Sequence, residues 1–179
     1  MGNLFKHNFS PRPGPLVLIG LGLVILLVGL IWLGVDRLVI GRGSISLPAR
    51  LAGLPLVEQL SGRPALTEIQ RLHGQNFPLV DGAVAYYGDG AATVWVSSAW
   101  TSFLAGRQVA AMAERIAERN SPFSPEGQSK VEGVTIYILT GMSQVHYYFQ
   151  LDREVVWLAI TAEQAEQGLA ELIRYFQQG

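Results

Sequence analysis

Residues that could ligate a metal or carry out covalent chemistry are few in this chain of 179 residues. Cysteine is absent, which excludes disulfides, thiolate metal sites and a cysteine nucleophile. The histidines are His7, His73 and His146. A zinc site needs three or four converging ligands, and the HExxH spacing does not occur. We therefore predict no metal site and no bound cofactor.

Two glycine-containing segments begin like catalytic or cofactor-binding motifs but depart from them. The segment GMSQV at 141–145 opens like a nucleophile elbow, yet Val145 stands where the second glycine is needed. The segment GDG at 88–90 lacks the third glycine of a dinucleotide loop and leads into a β-rich run, which indicates a hairpin. Asp152 and Glu154 could act as an acid and a base, but their spacing is typical of a solvated hairpin. We therefore predict no catalytic residues, no small-molecule substrate and no enzymatic activity.

The helices and strands that would position any site follow the order α-β-β-α-β-β-β-α after an apolar N-terminal run. Predicted helices cover 61–73, 101–119 and the region from Thr161 onward, where Gln164 completes a capping box. Predicted strands flank 88–90 and cover 134–139, 145–151 and 155–160, whereas 120–129 is predicted to be a loop. This order predicts an α+β fold, with a two-layer domain that has a five-stranded, mainly antiparallel sheet and about three helices.

Alternation along the predicted strands separates an aliphatic face from an aromatic one. Val94 and Val96 point to one face, whereas Trp95 points to the other. Because tyrosine and tryptophan join an apolar ring to a polar tip, they are favoured at protein interfaces. We predict that the aromatic face docks onto a partner protein, unless a helix or the connector at 41–55 covers it. The proposed docking residues are Trp95, Tyr137, Tyr148 and Trp157.

The uncharged run at 15–35 predicts a transmembrane helix. It contains eight Leu, four Val and three Ile, and as a helix it would be roughly 31 Å long, about the hydrocarbon thickness of a bilayer. A cleaved signal peptide is the alternative. The run is longer than the apolar region of a signal peptide, and Asp36 and Arg37 offer no small-residue cleavage site. An uncleaved anchor is therefore favoured.

Within this predicted span, Gly22, Leu26 and Gly29 fall on one helical face. Small residues allow another helix to approach closely, so this face is a candidate for packing against a partner helix. Lys6 and Arg12 precede the span and three arginines follow it, so the positive-inside count does not decide the orientation. A short N-terminal tail is typical of bacterial anchors with a cytoplasmic N-terminus. We therefore expect a single-pass protein of the cell membrane with its C-terminal domain on the extracytoplasmic, periplasmic side.

The chain is thus predicted to comprise a short tail (1–14), a transmembrane helix (15–35), a juxtamembrane connector (36–55) and a soluble α+β domain (56–179). Residues 51–179 include eight basic and thirteen acidic residues. Nucleic-acid binding needs a basic surface that neutralises phosphates, so we predict no nucleic-acid partner. The expected partners are the lipid bilayer and other subunits of a membrane protein complex.

The layout of one N-terminal span and a compact α+β domain resembles a known class of subunit. Together with the span, the segments LPARLAGLPLVEQL (47–60) and GMSQVHYYFQLDREVVWLAI (141–160) are similar to the small accessory subunit of bacterial alternative complex III, a quinol-oxidising membrane complex. The resemblance implies a non-catalytic, stabilising role beside haem and iron–sulfur subunits, with no cofactor in this chain. The alternative from the residues themselves is a free-standing extracytoplasmic module that binds or senses a ligand. An apolar aromatic flat face would favour the first function, and a pocket lined by His146 or Tyr148 would favour the second.

Overall fold

The computed structural model describes residues 14–39, 43–73, 77–118 and 121–178. The chain falls into two compact units, divided between Leu38 and Val39. The predicted N-terminal tail lies outside the described residues except for Gly14, and so do residues 40–42 of the predicted connector.

The described part of the first unit consists mainly of helix α1 (Pro15–Val39), which ends one residue past the division between the units. Its 25 residues make it roughly 38 Å long at the usual rise per residue, so it extends beyond the predicted span. Its length and apolar composition suit a membrane-spanning helix, and a signal sequence near the N-terminus shares both properties. A Cβ atom added at Gly22 or Gly29 would meet open space, so the packing of this face against a partner helix stays a prediction.

The second unit is built on an antiparallel sheet with more strands than predicted. In the described part of the chain the sheet has eight strands, in the order β1-β2-β3-β4-β8-β7-β6-β5. The strands are β1 (Arg50–Leu51), β2 (Leu54–Ser61), β3 (Leu79–Tyr87), β4 (Ala92–Ala99), β5 (Ser124–Val131), β6 (Val134–Gly141), β7 (Gln144–Leu151) and β8 (Glu154–Ile160). The α+β class and the antiparallel arrangement are confirmed, and the prediction of five strands is wrong because β1, β2 and β5 were missed.

The missed strands lie at the two ends of the sheet, where strand signals are weakest. Strand β5 contains Pro125 and Gly127, residue types that favour a loop and underlie the loop predicted at 120–129. Only β6 pairs with β5, so a proline there removes no hydrogen bond from a second neighbour. The pairing with β6 shifts between Pro125 and Gly127, as in a β-bulge. Edge strands tolerate both residues, so their presence did not exclude a strand.

Within the described ranges of the domain, three helices cover the sheet: α2 (Arg63–His73), α3 (Ser102–Ala117) and α4 (Ala165–Gln178). Side chains of Phe149 and Leu158 pack with Leu172 of α4. The side chain of Tyr148 projects from the opposite face of the sheet and packs with Met112 of α3. Helices therefore lie on both faces of the sheet, and the prediction of a two-layer domain is wrong: the domain has three layers.

The helix starts differ in detail from their sequence signals. Thr101 caps α3, because its hydroxyl accepts a hydrogen bond from the Leu104 amide at 3.2 Å. The predicted capping box at Thr161 is not formed: its hydroxyl contacts the Gln164 side chain rather than a backbone amide. A short 3₁₀ turn (Ala162–Gln164) therefore precedes α4. Ser61, the first residue of the predicted helix 61–73, is instead the last residue of β2 and pairs with Ala83.

The segment 43–52 belongs to the domain, because Ile45, Leu47 and Leu51 are buried in the core beneath α4. Its first residues are held by the buried carboxylate of Asp81. That carboxylate accepts hydrogen bonds from the Gly43 amide (3.0 Å), the Ser44 amide (2.6 Å), the Ser44 hydroxyl (2.8 Å) and the Gly82 amide (2.9 Å). Burial raises the pKa of Asp81, but the four hydrogen bonds outweigh it and leave the pKa below its ordinary value.

Candidate functional site: an aromatic groove between α2 and α3

The four residues predicted to dock onto a partner lie in a single row across the sheet. Tyr137 of β6 pairs with Tyr148 of β7, Tyr148 pairs with Trp157 of β8, and Trp157 pairs with Trp95 of β4. Paired residues on neighbouring strands project from the same face. The structure therefore brings together all four residues that alternation assigned to the aromatic face.

Three of these rings are stacked along the row. The ring centroids of Tyr137 and Tyr148 are 4.6 Å apart with planes inclined by 12°. Those of Tyr148 and Trp157 are 5.3 Å apart with planes inclined by 13°. Such near-parallel cross-strand pairs stabilise a sheet beyond their buried area. The two stacked pairs therefore support the pairing of β6, β7 and β8.

The aromatic face is only partly open, because α2 and α3 lie on it. Tyr148 is 2% exposed beneath α3, and a partner could not reach it without moving this helix. Tyr137 and Trp157 are partly buried against the cluster under α3, and Trp95 is partly buried against the cluster under α2. The flat, open docking surface envisaged from the sequence is absent from the described residues, and what remains open lies between the two helices.

That opening is a groove of about 1200 Å³, which we call the α2–α3 groove. The sheet contributes Trp95, His146, Trp157 and Ala159 to it. The helices and adjoining loops contribute mainly apolar side chains, namely Leu72, Phe77, Ala111, Met112, Ile116, Pro122, Phe123 and Met142. The Phe123 ring lies 4.7 Å from the His146 ring and 5.2 Å from the Trp157 ring, measured between centroids. The groove is therefore an aromatic cleft, half open to solvent.

His146 is the titratable group at the base of this groove, and both of its ring nitrogens are engaged. The indole Nε1–H of Trp157 donates a hydrogen bond to Nδ1 at 3.2 Å, so Nδ1 is the acceptor. The proton of the neutral ring therefore lies on Nε2, which donates to the Gly141 carbonyl at 3.0 Å. Burial lowers the pKa of His146, although the Gly141 hydrogen bond opposes this. A ring held neutral in this way has no free lone pair to take a proton or to bind a metal.

One polar atom beside the groove has no hydrogen-bond partner among the described residues: the indole Nε1–H of Trp95. A buried donor without a partner costs about 1–3 kcal/mol. Trp95 and Trp157 are paired residues of β4 and β8, and the indole N–H of Trp157 donates to Nδ1 of His146. The indole N–H of Trp95 has no such acceptor among the described residues. The Trp95 donor is thus available to an acceptor brought by a bound molecule, if the ring shifts to expose it.

The rim of the groove carries charges of both signs. Arg71 of α2 lies on one side, and Glu114, Arg115 and Glu118 lie at the C-terminal end of α3 on the other. Arg71 also forms an ion pair with Glu68 at 3.0 Å. An apolar floor with a charged rim is the usual anatomy of a protein–protein interface.

The two segments that begin like catalytic or cofactor-binding motifs, GMSQV at 141–145 and GDG at 88–90, form structural turns. Met142 and Ser143 of the GMSQV segment are the two residues between β6 and β7, and both have positive φ values, of 51° and 63°. This is a tight strand-to-strand hairpin and not the strand-to-helix turn of a nucleophile elbow. The GDG segment is a short helical turn between β3 and β4. Among the described residues, no three histidine, aspartate or glutamate side chains are grouped as metal ligands.

Of the four predicted docking residues, Trp95 and Trp157 line the groove, whereas Tyr137 and Tyr148 do not. Met112 lies in the predicted helix 101–119 and Phe123 in the predicted loop 120–129, and nothing in their local pattern shows which face of the sheet these segments cover. The position of His146 carried a usable signal, because it lies two residues before Tyr148 and so faces the same side of β7.

Comparison with known proteins gives no match to a protein-family model, a curated protein or a solved structure. The function is therefore argued from the geometry of the α2–α3 groove and from the character of α1.

Proposed function

We propose that this protein is a non-catalytic, membrane-anchored accessory subunit of a larger bacterial electron-transfer membrane complex. In this proposal α1 anchors the chain in the bilayer, and the α2–α3 groove binds an apolar segment of a neighbouring subunit. The observation that carries the docking role is the groove itself, an aromatic cleft with a charged rim on the face predicted to dock. The electron-transfer context rests on the resemblance to alternative complex III alone.

The size and lining of the groove favour a polypeptide as its occupant. About 1200 Å³ exceeds the usual range of small-molecule pockets, about 300–1,000 Å³, and accommodates several side chains. The half-open shape would leave one side of a bound helix or strand in contact with solvent. Charges of both signs at the rim suit the mixed polar flanks of a protein segment better than a single anionic or cationic ligand.

The residues considered for catalysis support a non-catalytic role. His146 has both nitrogens engaged and cannot act as a general base without losing the Trp157 hydrogen bond. The Asp152 side chain is 82% exposed at the β7–β8 turn and lies 3.9 Å from the Arg153 guanidinium. Glu154 begins β8 and is partly buried, and burial raises its pKa. Neither carboxyl group lines the α2–α3 groove.

A second candidate, a free-standing ligand-binding or sensing module, is favoured by a specific observation. His146 lines the groove, which is the feature expected of that alternative, and the Trp95 indole N–H beside it lacks a partner. Such a site suits a largely apolar ligand that carries an oxygen acceptor. The two proposals therefore differ in the occupant of the same groove.

Site-specific photocrosslinking in native membranes distinguishes these proposals. A photoreactive amino acid at Leu72 or Met142 would report on the groove, because both residues line it and are 55% and 74% exposed. Val57, 59% exposed on β2 and outside the groove, is the matched control position. We expect crosslinks from Leu72 and Met142 to one or two defined membrane subunits, and none to the same subunits from Val57.

Gentle detergent extraction and native gel electrophoresis complete the test. Migration in a large band with haem or iron–sulfur proteins would support the accessory-subunit proposal. Migration at the mass of a monomer or dimer, without specific crosslinks, would contradict it. A ligand screen by thermal shift on the detergent-purified chain would then test the second candidate.

The proposed orientation can be tested because the chain has no native cysteine. A single cysteine at Ser129, exposed on β5, is a suitable labelling site. We expect a membrane-impermeant maleimide to label Ser129→Cys from the extracytoplasmic side of intact cells. Labelling only after the cells are opened would contradict the extracytoplasmic placement.

A further inference from the structure

Protonation of His146 is incompatible with one of the two hydrogen bonds that hold its ring. Nδ1 accepts the indole N–H of Trp157 at 3.2 Å, and Nε2 donates to the Gly141 carbonyl at 3.0 Å. The lone pair of the neutral ring is therefore the one that the Trp157 indole occupies. A second proton would have to bind at Nδ1, where it would face the indole N–H as one donor against another.

The hydrogen bond to Trp157 is the one that must break. Nε2 keeps its proton in the charged ring, and a charged donor strengthens the hydrogen bond to the Gly141 carbonyl. The imidazolium is therefore held at its Nε2 side, while Trp157 loses its acceptor. Because a buried donor without a partner is costly, the Trp157 ring has to turn or water has to reach it.

Either response changes the α2–α3 groove, because His146 and Trp157 both line it. The Phe123 ring covers this pair, with centroid distances of 4.7 Å to His146 and 5.2 Å to Trp157. Phe123 is itself packed closely on the β6–β7 turn, since a Cβ atom added at Gly141 would lie 2.8 Å from its ring. His146 is 3% exposed, so hydration of the charged ring requires Phe123 or Trp157 to move.

We propose that His146 is a pH-sensitive switch of the α2–α3 groove. The neutral ring fixes Trp157 in the floor of the groove, and the protonated ring releases Trp157 and opens the base of the groove to water. This switch needs no particular occupant. Its consequence for binding rests on the proposed function: a protein segment seated on the neutral pair is bound more weakly in acid, because a ligand that prefers one form of a protein is disfavoured when the other form is populated.

The groups around His146 leave it as the residue that titrates at the base of the groove. Strand β6, strand β8 and the loop at 121–123 present Gly141, Trp157 and Phe123 to it, and none of these titrates. Tyr148 lies two residues along β7 on the same face, and burial raises its pKa to about 12. The charged groups among the described residues that line the groove are Arg71 on α2 and Glu114, Arg115 and Glu118 at the C-terminal end of α3.

Tryptophan NMR of the full-length protein observes the proposed switch directly, because the chain has four tryptophans. With ¹⁵N-labelled tryptophan, the Trp157→Phe spectrum identifies the Trp157 indole signal by its loss. Between pH 8 and pH 5 we expect this signal to shift with the same midpoint as the His146 ring, and its N–H to exchange faster with water. Trp100 lies outside the groove and serves as the internal control, whose indole signal should not follow His146.

His146→Gln is the matched variant, since a glutamine amide offers an oxygen to Trp157 and an N–H to Gly141 but does not titrate. We expect the Trp157 signal of this variant to stay constant over the same pH range. A Trp157 signal that stays unmoved while His146 titrates would overturn the switch, and so would a His146 ring that remains neutral until the domain unfolds. A shift of equal size in His146→Gln would assign the response to the carboxylates at the rim and would also overturn it.

Trp157→Phe provides an independent measurement if His146→Gln does not fold. Coupling between two events is reciprocal, so removal of the indole N–H should make His146 titrate at a higher pH. An unchanged His146 midpoint would contradict the release of Trp157.

The photocrosslinks from Leu72 and Met142 test the docking role separately. Absent crosslinks at every pH, together with a Trp157 shift that follows His146, would contradict docking and support the switch. Specific crosslinks together with an unmoved Trp157 signal would contradict the switch and support docking. If both are correct, the crosslink yield should fall between pH 8 and pH 5 in the wild type and stay constant in His146→Gln.

Discussion

The two faces of the sheet differ in how completely they are covered. On the face beneath α4 and segment 43–52, Val94, Phe149 and Leu158 are fully buried. We call this the closed face. On the face beneath α2 and α3, which we call the groove face, Trp95 and Trp157 stay partly open to the α2–α3 groove.

The packing of the helices accounts for much of this difference. On the closed face α4 approaches closely at Gly168, where an added Cβ atom would lie 2.6 Å from the Ile160 side chain and 3.7 Å from that of Ala52. On the groove face two separate clusters form, because α3 covers Tyr148 whereas Trp95 packs with the cluster under α2. A single helix that approaches closely therefore seals the closed face, whereas two helices leave a cleft between them on the groove face.

The largest expected effect is on the closed face. Leu172→Ala removes a fully buried side chain of α4 and should lower the free energy of unfolding by about 2–5 kcal/mol, because a cavity remains. The matched control is Leu72→Ala at the groove, where the side chain is 55% exposed and a change within about 0.5 kcal/mol is expected. Urea unfolding of the full chain in detergent, followed by tryptophan fluorescence, measures both. Equal losses of stability in Leu172→Ala and Leu72→Ala would contradict the difference in packing between the two faces.

A smaller loss is expected where segment 43–52 is attached. Asp81→Ala removes the acceptor of four hydrogen bonds and should cost about 1–3 kcal/mol. Because the pKa of Asp81 is lowered in the folded state, its contribution is present above the ordinary aspartate pKa and is lost as the pH falls through the folded value. The free energies of unfolding of wild type and Asp81→Ala, measured by urea unfolding, should therefore converge in acid. An equal difference between wild type and Asp81→Ala at every pH would contradict this role of the carboxylate.

The two tryptophans allow the same substitution to be compared with and without a hydrogen bond. Trp157→Phe breaks the hydrogen bond to His146, whereas Trp95→Phe removes a donor that has no partner among the described residues. We expect Trp157→Phe to be less stable than Trp95→Phe by about 1 kcal/mol. Trp157→Phe should also raise the pKa of His146, measured by NMR titration, because Nδ1 is released. Equal stabilities and an unchanged titration would mean that the Trp157–His146 bond contributes nothing.

The smallest effect is the pH dependence that His146 gives to the groove face. Its pKa is lowered in the folded state, so below about pH 6.5, the ordinary histidine value, the unfolded chain binds the proton more readily than the folded one. Stability should therefore fall as the pH drops through this value towards the folded pKa. His146→Gln should reduce this slope, measured as the denaturation midpoint between pH 5 and 7. An identical slope in His146→Gln and wild type would mean that other titratable groups cause the pH dependence.

Much of the sheet could be predicted, because alternation and turn residues are local signals. The hairpin around 88–90 and the strands β6 to β8 follow from them, and so does the placement of Trp95, Tyr137, Tyr148 and Trp157 on one face. The layers could not be predicted, since an amphipathic helix such as α3 has one apolar stripe that fits either face of a sheet. Whether the groove forms depends on which face of the sheet each helix covers. The Trp157–His146 hydrogen bond depends on the pairing register of β7 and β8, which no single segment encodes.

The strand order carries a consequence for how the chain could be divided. Strands β1 to β4 pair in sequence order, as do β5 to β8, and the β4–β8 ladder that pairs Trp95 with Trp157 is the seam between these halves. The helices cross this seam. Helix α3 of the first half packs on Tyr148 of the second, and Glu171 of α4 in the second half accepts a hydrogen bond from the Ala52 amide of the first at 2.7 Å. If the chain were broken between Glu118 and Ser121, each half would keep its own strand pairs. Each half would also keep one helix that packs against the other half, as in proteins reconstituted from two complementary fragments.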